Sequence, residues 1–309
     1  MARYLVSEPL NDISVDYLAQ HGDVQMCQAD EAIDLVADVD GLVVRSYTQV
    51  NDNLLDKASK LKVVGRAGVA LENIDVAACR ARGVEVVHTP AANTLAVVDY
   101  IIGMLVEINR KFWPMEGYVS PEEFHKVRKN IFGRFLKGLT LGIIGCGRIG
   151  SRVGRAAAAL GMEVLYNDIL DIEVDYPARA VDKETLYAQS DIITIHVPVT
   201  ELTTKFINAE TIARFKPGVQ FLNAARGQCV DYPALGEALR SGHVSFAVID
   251  CHDPEPPTED YPLFGLDNVI LTPHIAARVP DAVQNMCDVV HDVVAVVEGR
   301  QPQYPAPKE

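Results

Sequence analysis

The stretch Leu141-Gly-Ile-Ile-Gly145-Cys-Gly147-Arg-Ile-Gly150 narrows this chain's possibilities more than any other. An apolar, strand-like run passes without a break into G-x-G-x-x-G and then into an Ala-rich helical stretch that ends near Gly161. Glycines at that spacing let the backbone turn tightly and approach a pyrophosphate, whose charge sits on exposed N–H groups at the positive end of the helix. The next strand-like run ends at Asp168, 23 residues after Gly145, where an acid grips ribose hydroxyls. No Arg or Lys adjoins Asp168 to neutralise a 2′-phosphate, which favours NAD over NADP. A tight glycine turn in an α/β protein that binds nothing would show the same glycines, but not the strand, the helix and the acid together.

The rest of the chain alternates short β-rich runs with helical patterns, the sign of βαβ units and a mainly parallel sheet. A first series reads as strands at Tyr4–Val6, Gly41–Ser46, Lys62–Gly65 and Val84–His88, with helical stretches at Asn51–Ser59 and Asn73–Arg82. Asn93–Lys111 is a helix apolar on most faces, which predicts burial between domains or against a second subunit. A second series follows at Thr140–Gly145, Glu163–Asn167, Asp191–Val197, Val219–Ala225, Ser245–Asp250 and Val269–Thr272, six strands as a dinucleotide-binding sheet requires. A helix near Pro280–Glu298 and a Pro-rich tail close the chain. The 309 residues suit two domains.

Composition removes several alternatives. With 28 basic against 42 acidic residues the formal net charge is −14, and the averaged field repels nucleic acid and acidic lipid surfaces. The six cysteines are scattered, with no C-x-x-C pair or metal-ligand spacing, and read as free thiols. There is neither a secretory leader nor an apolar run near the roughly 18 residues of a spanning helix, so a cytoplasmic location is expected.

Three later strands end in polar groups, where an open α/β sheet places its ligands. Phe221-Leu-Asn223-Ala-Ala-Arg226-Gly227 ends in a guanidinium. Val248-Ile-Asp250-Cys-His-Asp253-Pro-Glu255-Pro-Pro257 fixes an acid in a proline-stiffened loop. Ile270-Leu-Thr-Pro273-His274-Ile-Ala-Ala277 puts an imidazole just past a strand. Each has an ordinary alternative: a surface histidine, a solvated glutamate, an arginine paired to a structural acid. His252 and Asp253 also suggest a metal site with His274, but no further ligand set supports it, and no metal is expected.

Together with the fingerprint, these residues resemble the D-isomer-specific 2-hydroxyacid dehydrogenases, closest to short 3-phosphoglycerate dehydrogenase-like members. The similarity extends through Val44-Arg45-Ser46, Gly65-Arg66-Ala-Gly68-Val69-Ala-Leu-Glu-Asn73-Ile-Asp75, Thr89-Pro90-Ala-Ala-Asn93, His196-Val-Pro198 and Lys216-Pro217-Gly218. It implies an α/β fold of two doubly wound parallel-sheet domains. A Rossmann domain at 97–285 would be inserted into a flavodoxin-like substrate domain formed by 1–96 and completed by 286–309, with hinges near 93–99 and 279–290. It implies hydride transfer between NAD and C2 of a 2-keto or 2-hydroxy acid, with His274 as acid/base, Glu255 as its partner and Arg226 as the clamp on carboxylate and carbonyl. A carboxylate beside imidazole favours the ring's charged form, and a planar guanidinium grips a carboxylate at two points.

By the same resemblance, Gly145, Gly147, Arg148, Ile149 and Gly150 meet the pyrophosphate and Asp168 the ribose. His196, Val197, Pro198, Thr203, Ala225, Asp250 and His274 line the rest of the cofactor site, Asp250 towards the carboxamide. Arg45, Ser46, Arg66, Gly68 and Val69, with Arg226 and His274, take the substrate, and Arg45, Arg66 and Arg128 match positions that gather a distal phosphate. The chain departs from the usual pattern in the loop Phe112–Tyr118, at Asp99 in place of Glu, and at Cys251-His252 in place of two apolar residues, which opens the choice of acid to glyoxylate or hydroxypyruvate. It ends at Glu309 without room for a C-terminal regulatory domain, so serine feedback is not expected. A homodimer is implied. The rival of a different class is an NAD-sensing binding protein like the corepressors that share this fold.

Overall fold

Several apolar runs show no polar alternation at all: Gly41–Val44, Ile192–Ile195 and Val219–Asn223 are buried at every position. Such strands need cover on both faces, as in a parallel sheet crossed by helices. The computed structural model describes every residue except Lys111, Trp113, Pro114, Lys308 and Glu309, and it contains two sheets of this kind. The chain separates into two compact units, Met1–Leu95 with Arg278–Glu309, and Ala96–Ala277.

In the first unit, β1 (Ala2–Val6), β2 (Gly22–Met26), β3 (Gly41–Val44), β4 (Val63–Arg66) and β5 (Glu85–His88) pair in parallel in the order β2-β1-β3-β4-β5. This is the flavodoxin-like order. Side chains alternate across the sheet, so Leu5 joins Val36, Leu42 and Val64 on one face. Tyr4 and Val6 join Val43, Val63 and the helix Val289–Val297 on the other. The C-terminal helical region is two helices, Pro280–Cys287 and Val289–Val297, broken at Asp288. The tail beyond is tied down, because the Ala306 N–H donates to Val86 O at 2.7 Å and Arg80 to Ala306 O at 2.8 Å.

In the second unit, β6 (Thr140–Ile144), β7 (Glu163–Asn167), β8 (Arg179–Ala180), β9 (Ile192–Ile195), β10 (Val219–Asn223), β11 (Val244–Ile249) and β12 (Val269–Leu271) form a parallel sheet in the order β12-β11-β10-β9-β6-β7-β8. That is the doubly wound dinucleotide-binding order with one added edge strand. The long apolar helix spans Thr94–Asn109; the expected end at Lys111 lies outside the described residues. Val97, Val98, Ile101 and Leu105 pack on Leu141, Ile143 and Leu222, so the helix covers a face of this sheet. No helix of the described residues is long and apolar enough to cross a membrane.

Two strands lie outside the expected set, β2 and β8, and both are edges. β2 buries one residue of five and β8 none, so neither carries the apolar signal that marks an interior strand. The helix expected from Asn73 begins at Val76, capped by Asp75, whose side chain accepts from the Ala78 N–H. Asn73 instead donates to Thr48 O at 2.7 Å and Arg45 O at 3.1 Å.

That bond is half of a clamp on the loop after β3. Glu8, buried just past β1, accepts the backbone N–H groups of Arg45, Ser46, Tyr47 and Thr48 at 2.9–3.0 Å. A carboxylate fits this nest because it only accepts, and charge strengthens each bond. Glu8→Gln turns an NH2 group towards N–H donors and should cost about 2–4 kcal/mol of unfolding free energy. Urea denaturation measures this, and a loss below about 0.5 kcal/mol would contradict the clamp.

Candidate active site

The glycine loop leaves β6 and enters the helix Gly150–Ala159. Gly145 has φ +92°, and a Cβ there would lie 2.6 Å from His196 O. At Gly150 a Cβ would meet Gly145 O at 2.0 Å, so strand and helix are in backbone contact. Gly147 differs: no heavy atom lies within 4 Å of where its Cβ would be. The loop is thus closed where strand packs on helix and open at the middle glycine, the arrangement by which a backbone admits a pyrophosphate. Asp168 completes it, accepting the Cys146 N–H at 2.7 Å and the Leu170 N–H at 3.0 Å, so the acid stands beside the loop. These residues fit a dinucleotide.

His196 follows β9, with Thr194 Oγ1 3.1 Å from its Nε2. Burial pushes this imidazole down to about 4, so it is neutral at physiological pH. Thr203 caps its own loop, its hydroxyl donating to Pro198 O at 2.6 Å and accepting the Thr200 N–H at 2.7 Å.

The polar groups past β10, β11 and β12 lie in the same unit. Asn223 shapes the turn that carries Arg226, accepting the Ala225 N–H at 2.9 Å and donating to Arg226 O at 3.0 Å. Arg226 Nη1 donates to Ala225 O at 2.6 Å. His274 Nδ1 and Glu255 Oε1 are 2.6 Å apart. A carboxylate accepts, so it selects the tautomer with the proton on Nδ1. Nε2 has no partner among the described residues and is the nitrogen that can exchange a proton. Both side chains are substantially open to solvent, 44% and 40%.

His274 has φ +53°, uncommon for a residue with a side chain, so the turn must be held from outside. Asp250 holds it. Its carbonyl accepts the His274 N–H at 2.9 Å, and its buried carboxylate accepts Ile275 N–H, Ala276 N–H and the Thr272 hydroxyl at 2.6–2.9 Å. Tyr100, on the long helix, donates its hydroxyl to Thr272 Oγ1 at 2.6 Å, and burial pushes its phenol up to about 12. A contact between Asp250 and a nicotinamide would have to share these oxygens. Thr272 and Tyr100 were not singled out in the sequence, although Thr272 stands in the segment that carries His274 and Tyr100 brings a hydroxyl to an otherwise apolar helix face.

In the first unit, Arg45 and Ser46 sit on the loop clamped by Glu8, and Arg45 Nη1 donates to Pro9 O at 3.3 Å. Arg66 ends β4 and donates to Ala67 O at 3.2 Å and Ser46 Oγ at 3.3 Å. Its guanidinium lies over Gly68, where φ is +148° and a Cβ would fall 1.4 Å from Nη1. The Gly68 N–H donates to Arg66 O at 2.8 Å, while the Val69 N–H has no partner among the described residues. Arg128 is exposed on the helix Pro121–Asn130 of the second unit. Among the described residues no three His, Cys, Asp or Glu side chains are grouped to hold a metal ion.

A glycine loop with its acid, and a histidine–glutamate pair past the strands of the same sheet, are the features of a nucleotide-binding α/β protein. The chain belongs to the D-isomer specific 2-hydroxyacid dehydrogenase family: residues 102–276 match its NAD binding domain. The D-3-phosphoglycerate dehydrogenase of Archaeoglobus fulgidus is 37% identical over 305 residues, which are 96% of this chain and 58% of that protein. The hydroxypyruvate reductase of Thermotoga maritima is 38% identical over 290 residues, 91% of this chain and 94% of that protein. The chain therefore spans little more than half of the first relative and nearly all of the second. Among solved structures, D-lactate dehydrogenase from Aquifex aeolicus, complexed with NAD and lactic acid, superposes with a TM-score of 0.82 at 27% identity over 96% of both chains.

His196 supplies a pH test. Unfolded, its imidazole takes up a proton near its ordinary 6.5; folded, not until about 4. Its contribution is therefore complete above 6.5 and is lost as pH falls towards 4, by about 3 kcal/mol. Measured from pH 7 to 4, the unfolding free energy of wild type should fall by about that amount relative to His196→Gln. A constant difference would refute the assignment.

Proposed function

We propose that this protein is an NAD-dependent D-2-hydroxyacid dehydrogenase that interconverts a short 2-keto acid and its D-2-hydroxy acid. The observation that carries the reading is the 2.6 Å contact between His274 Nδ1 and Glu255, which leaves Nε2 free in the unit that also holds the glycine loop. NAD would be held by the backbone of Gly145, Gly147, Arg148, Ile149 and Gly150, by Asp168 at the ribose, and by His196, Val197, Pro198, Thr203, Ala225 and Asp250 around the rest of the cofactor. When bound, the cofactor supplies or accepts the hydride at C2.

In reduction, doubly protonated His274 gives the Nε2 proton to the oxygen that becomes the hydroxyl, while Glu255 keeps the proton on Nδ1 and stabilises the charged ring. Oxidation runs the same transfer in reverse. Arg226 grips the carboxylate at two points and polarises the keto oxygen. In the other unit, Arg45, Ser46, Arg66, Gly68 and Val69 are the residues that the family resemblance assigns to the substrate.

The test is NADH oxidation with hydroxypyruvate, 3-phosphohydroxypyruvate and glyoxylate. Turnover with at least one is expected, and a tenfold preference for the phosphorylated acid would assign Arg45 and Arg66 to a phosphate. NADH binding without turnover on any of them would make the protein a nucleotide sensor instead. His274→Ala should lower kcat by about 10²–10⁴-fold with little change in NADH affinity, and Asp168→Ala should do the reverse.

The same reading carries a cytoplasmic homodimer. All six cysteines are free, as suits a reducing compartment. Phe112, Met115, Tyr118, Phe124, Phe132 and Phe135 are all exposed within one stretch of chain, which makes that stretch the candidate face for a second copy. Light scattering should give twice the 33.8 kDa chain mass, and Phe132→Glu with Phe135→Glu should give the monomer.

A further inference from the structure

His252 has no part in the mechanism above, yet it is a buried polar residue, 4% exposed, among the elements that carry it. Its Nε2 is 2.9 Å from Thr272 O and its Nδ1 is 3.0 Å from the Tyr261 hydroxyl. A carbonyl only accepts, so Nε2 bears a proton, and Nδ1 pairs with the Tyr261 hydroxyl, which leaves both nitrogens satisfied. Tyr261 also packs edge-on against the ring, with centroids 5.4 Å apart.

The contacts of this residue reach every segment of the proposed proton-transfer machinery. Thr272 O lies two residues before His274 and also accepts the His274 N–H at 2.9 Å. The His252 N–H points at Glu255 Oε2 at 3.4 Å, the oxygen not used by His274. The His252 carbonyl lies so close to Gly227, next to Arg226, that a Cβ there would fall 1.9 Å from it. A phenylalanine would fill the space but leave the buried Tyr261 hydroxyl without its His252 partner and Thr272 O without its side-chain donor.

We propose that His252 is a positioning residue for the His274–Glu255 pair: its doubly bonded ring ties the end of β12 to the Glu255 loop and keeps Glu255 on His274 Nδ1. Asp250 fixes the backbone turn of His274 from one side; His252 fixes the spacing between the turn and the carboxylate from the other. The proposal rests on the dehydrogenase reading for its effect on turnover, but not for its effect on the ring.

Two measurements on His252→Phe, His252→Gln and Tyr261→Phe decide it. The first is 15N NMR of histidine-labelled protein, at a pH high enough for His274 to be neutral and with its resonances assigned through His274→Gln. Wild type should show the Nδ1–H tautomer, His252→Phe a mixture of tautomers, and His252→Gln a return towards wild type, because its amide can donate to Thr272 O and accept from Tyr261. The second is turnover on the best keto acid of the panel. His252→Phe should lower kcat about tenfold, with KM and NADH affinity within about twofold, and His252→Gln should recover to within about threefold.

Unchanged tautomer and kcat in His252→Phe, or losses in His252→Gln equal to those in His252→Phe, would overturn the proposal. Should His252→Phe fail to fold, Tyr261→Phe keeps the ring and removes one anchor; it should shift the tautomer ratio in the same direction, and an unshifted ratio refutes the role. Wild type that turns over no keto acid would count against the dehydrogenase reading alone, since the NMR comparison stands without a substrate.

Discussion

Parallel pairing is the constraint on which the rest depends. Every registered strand pair in both sheets runs parallel, so each strand is followed by a crossover and all strand ends of one sheet arrive at the same edge. Residues remote in sequence then become neighbours: Asn223, Asp250 and Thr272 end, or directly follow, three adjacent strands, and the polar groups follow within a few residues. The same pairing explains why those strands are so apolar. Covered on both faces, they have no polar side, and the chemistry is pushed to their ends.

Loops at strand ends need fixing, and here buried carboxylates do it. Glu8 and Asp250 are both almost fully buried, and each collects backbone N–H groups from a loop that follows a neighbouring strand. A carboxylate in that position is costly to desolvate, and the multiple charge-assisted bonds offset the cost only while the loop keeps one shape. The arrangement is therefore selective for geometry more than for stability. At Asp250 it fixes a backbone with φ +53° at His274, which nothing in the residue's own preference would supply.

What could be read from the sequence follows from this physics. Interior strands were legible because burial on two faces leaves a continuous apolar run; β2 and β8 were not, because an edge strand with exposed side chains looks like a loop. Asn51 was legible as a cap, since its side chain accepts from Leu54 N–H three residues on, a local event. Asn73 was misplaced as a helix start because its partners, Arg45 and Thr48, are more than twenty residues away. His274 and Glu255 stood out through the prolines and motifs around them, whereas Glu8, Tyr100 and the role of His252 depend on contacts across sequence separations that no local pattern records. The break at Asp288 divides a helical stretch whose apolar spacing continues across it, so periodicity alone reads one helix.

Charge sets a last condition. A net charge of −14 works against an anionic dinucleotide and an anionic acid at long range, yet at physiological salt that field is screened beyond roughly 8 Å. On the dehydrogenase reading, recognition of the dinucleotide is thus left to short-range donors such as the open backbone at Gly147. Backbone donors have direction but no net charge, and they keep their geometry only because buried groups such as Glu8 and Asp250 hold the surrounding loops. In an acidic protein of this kind, anion binding is a property of well-held loops rather than of a basic surface, and a substitution that loosens a loop should weaken binding more than one that alters the overall charge.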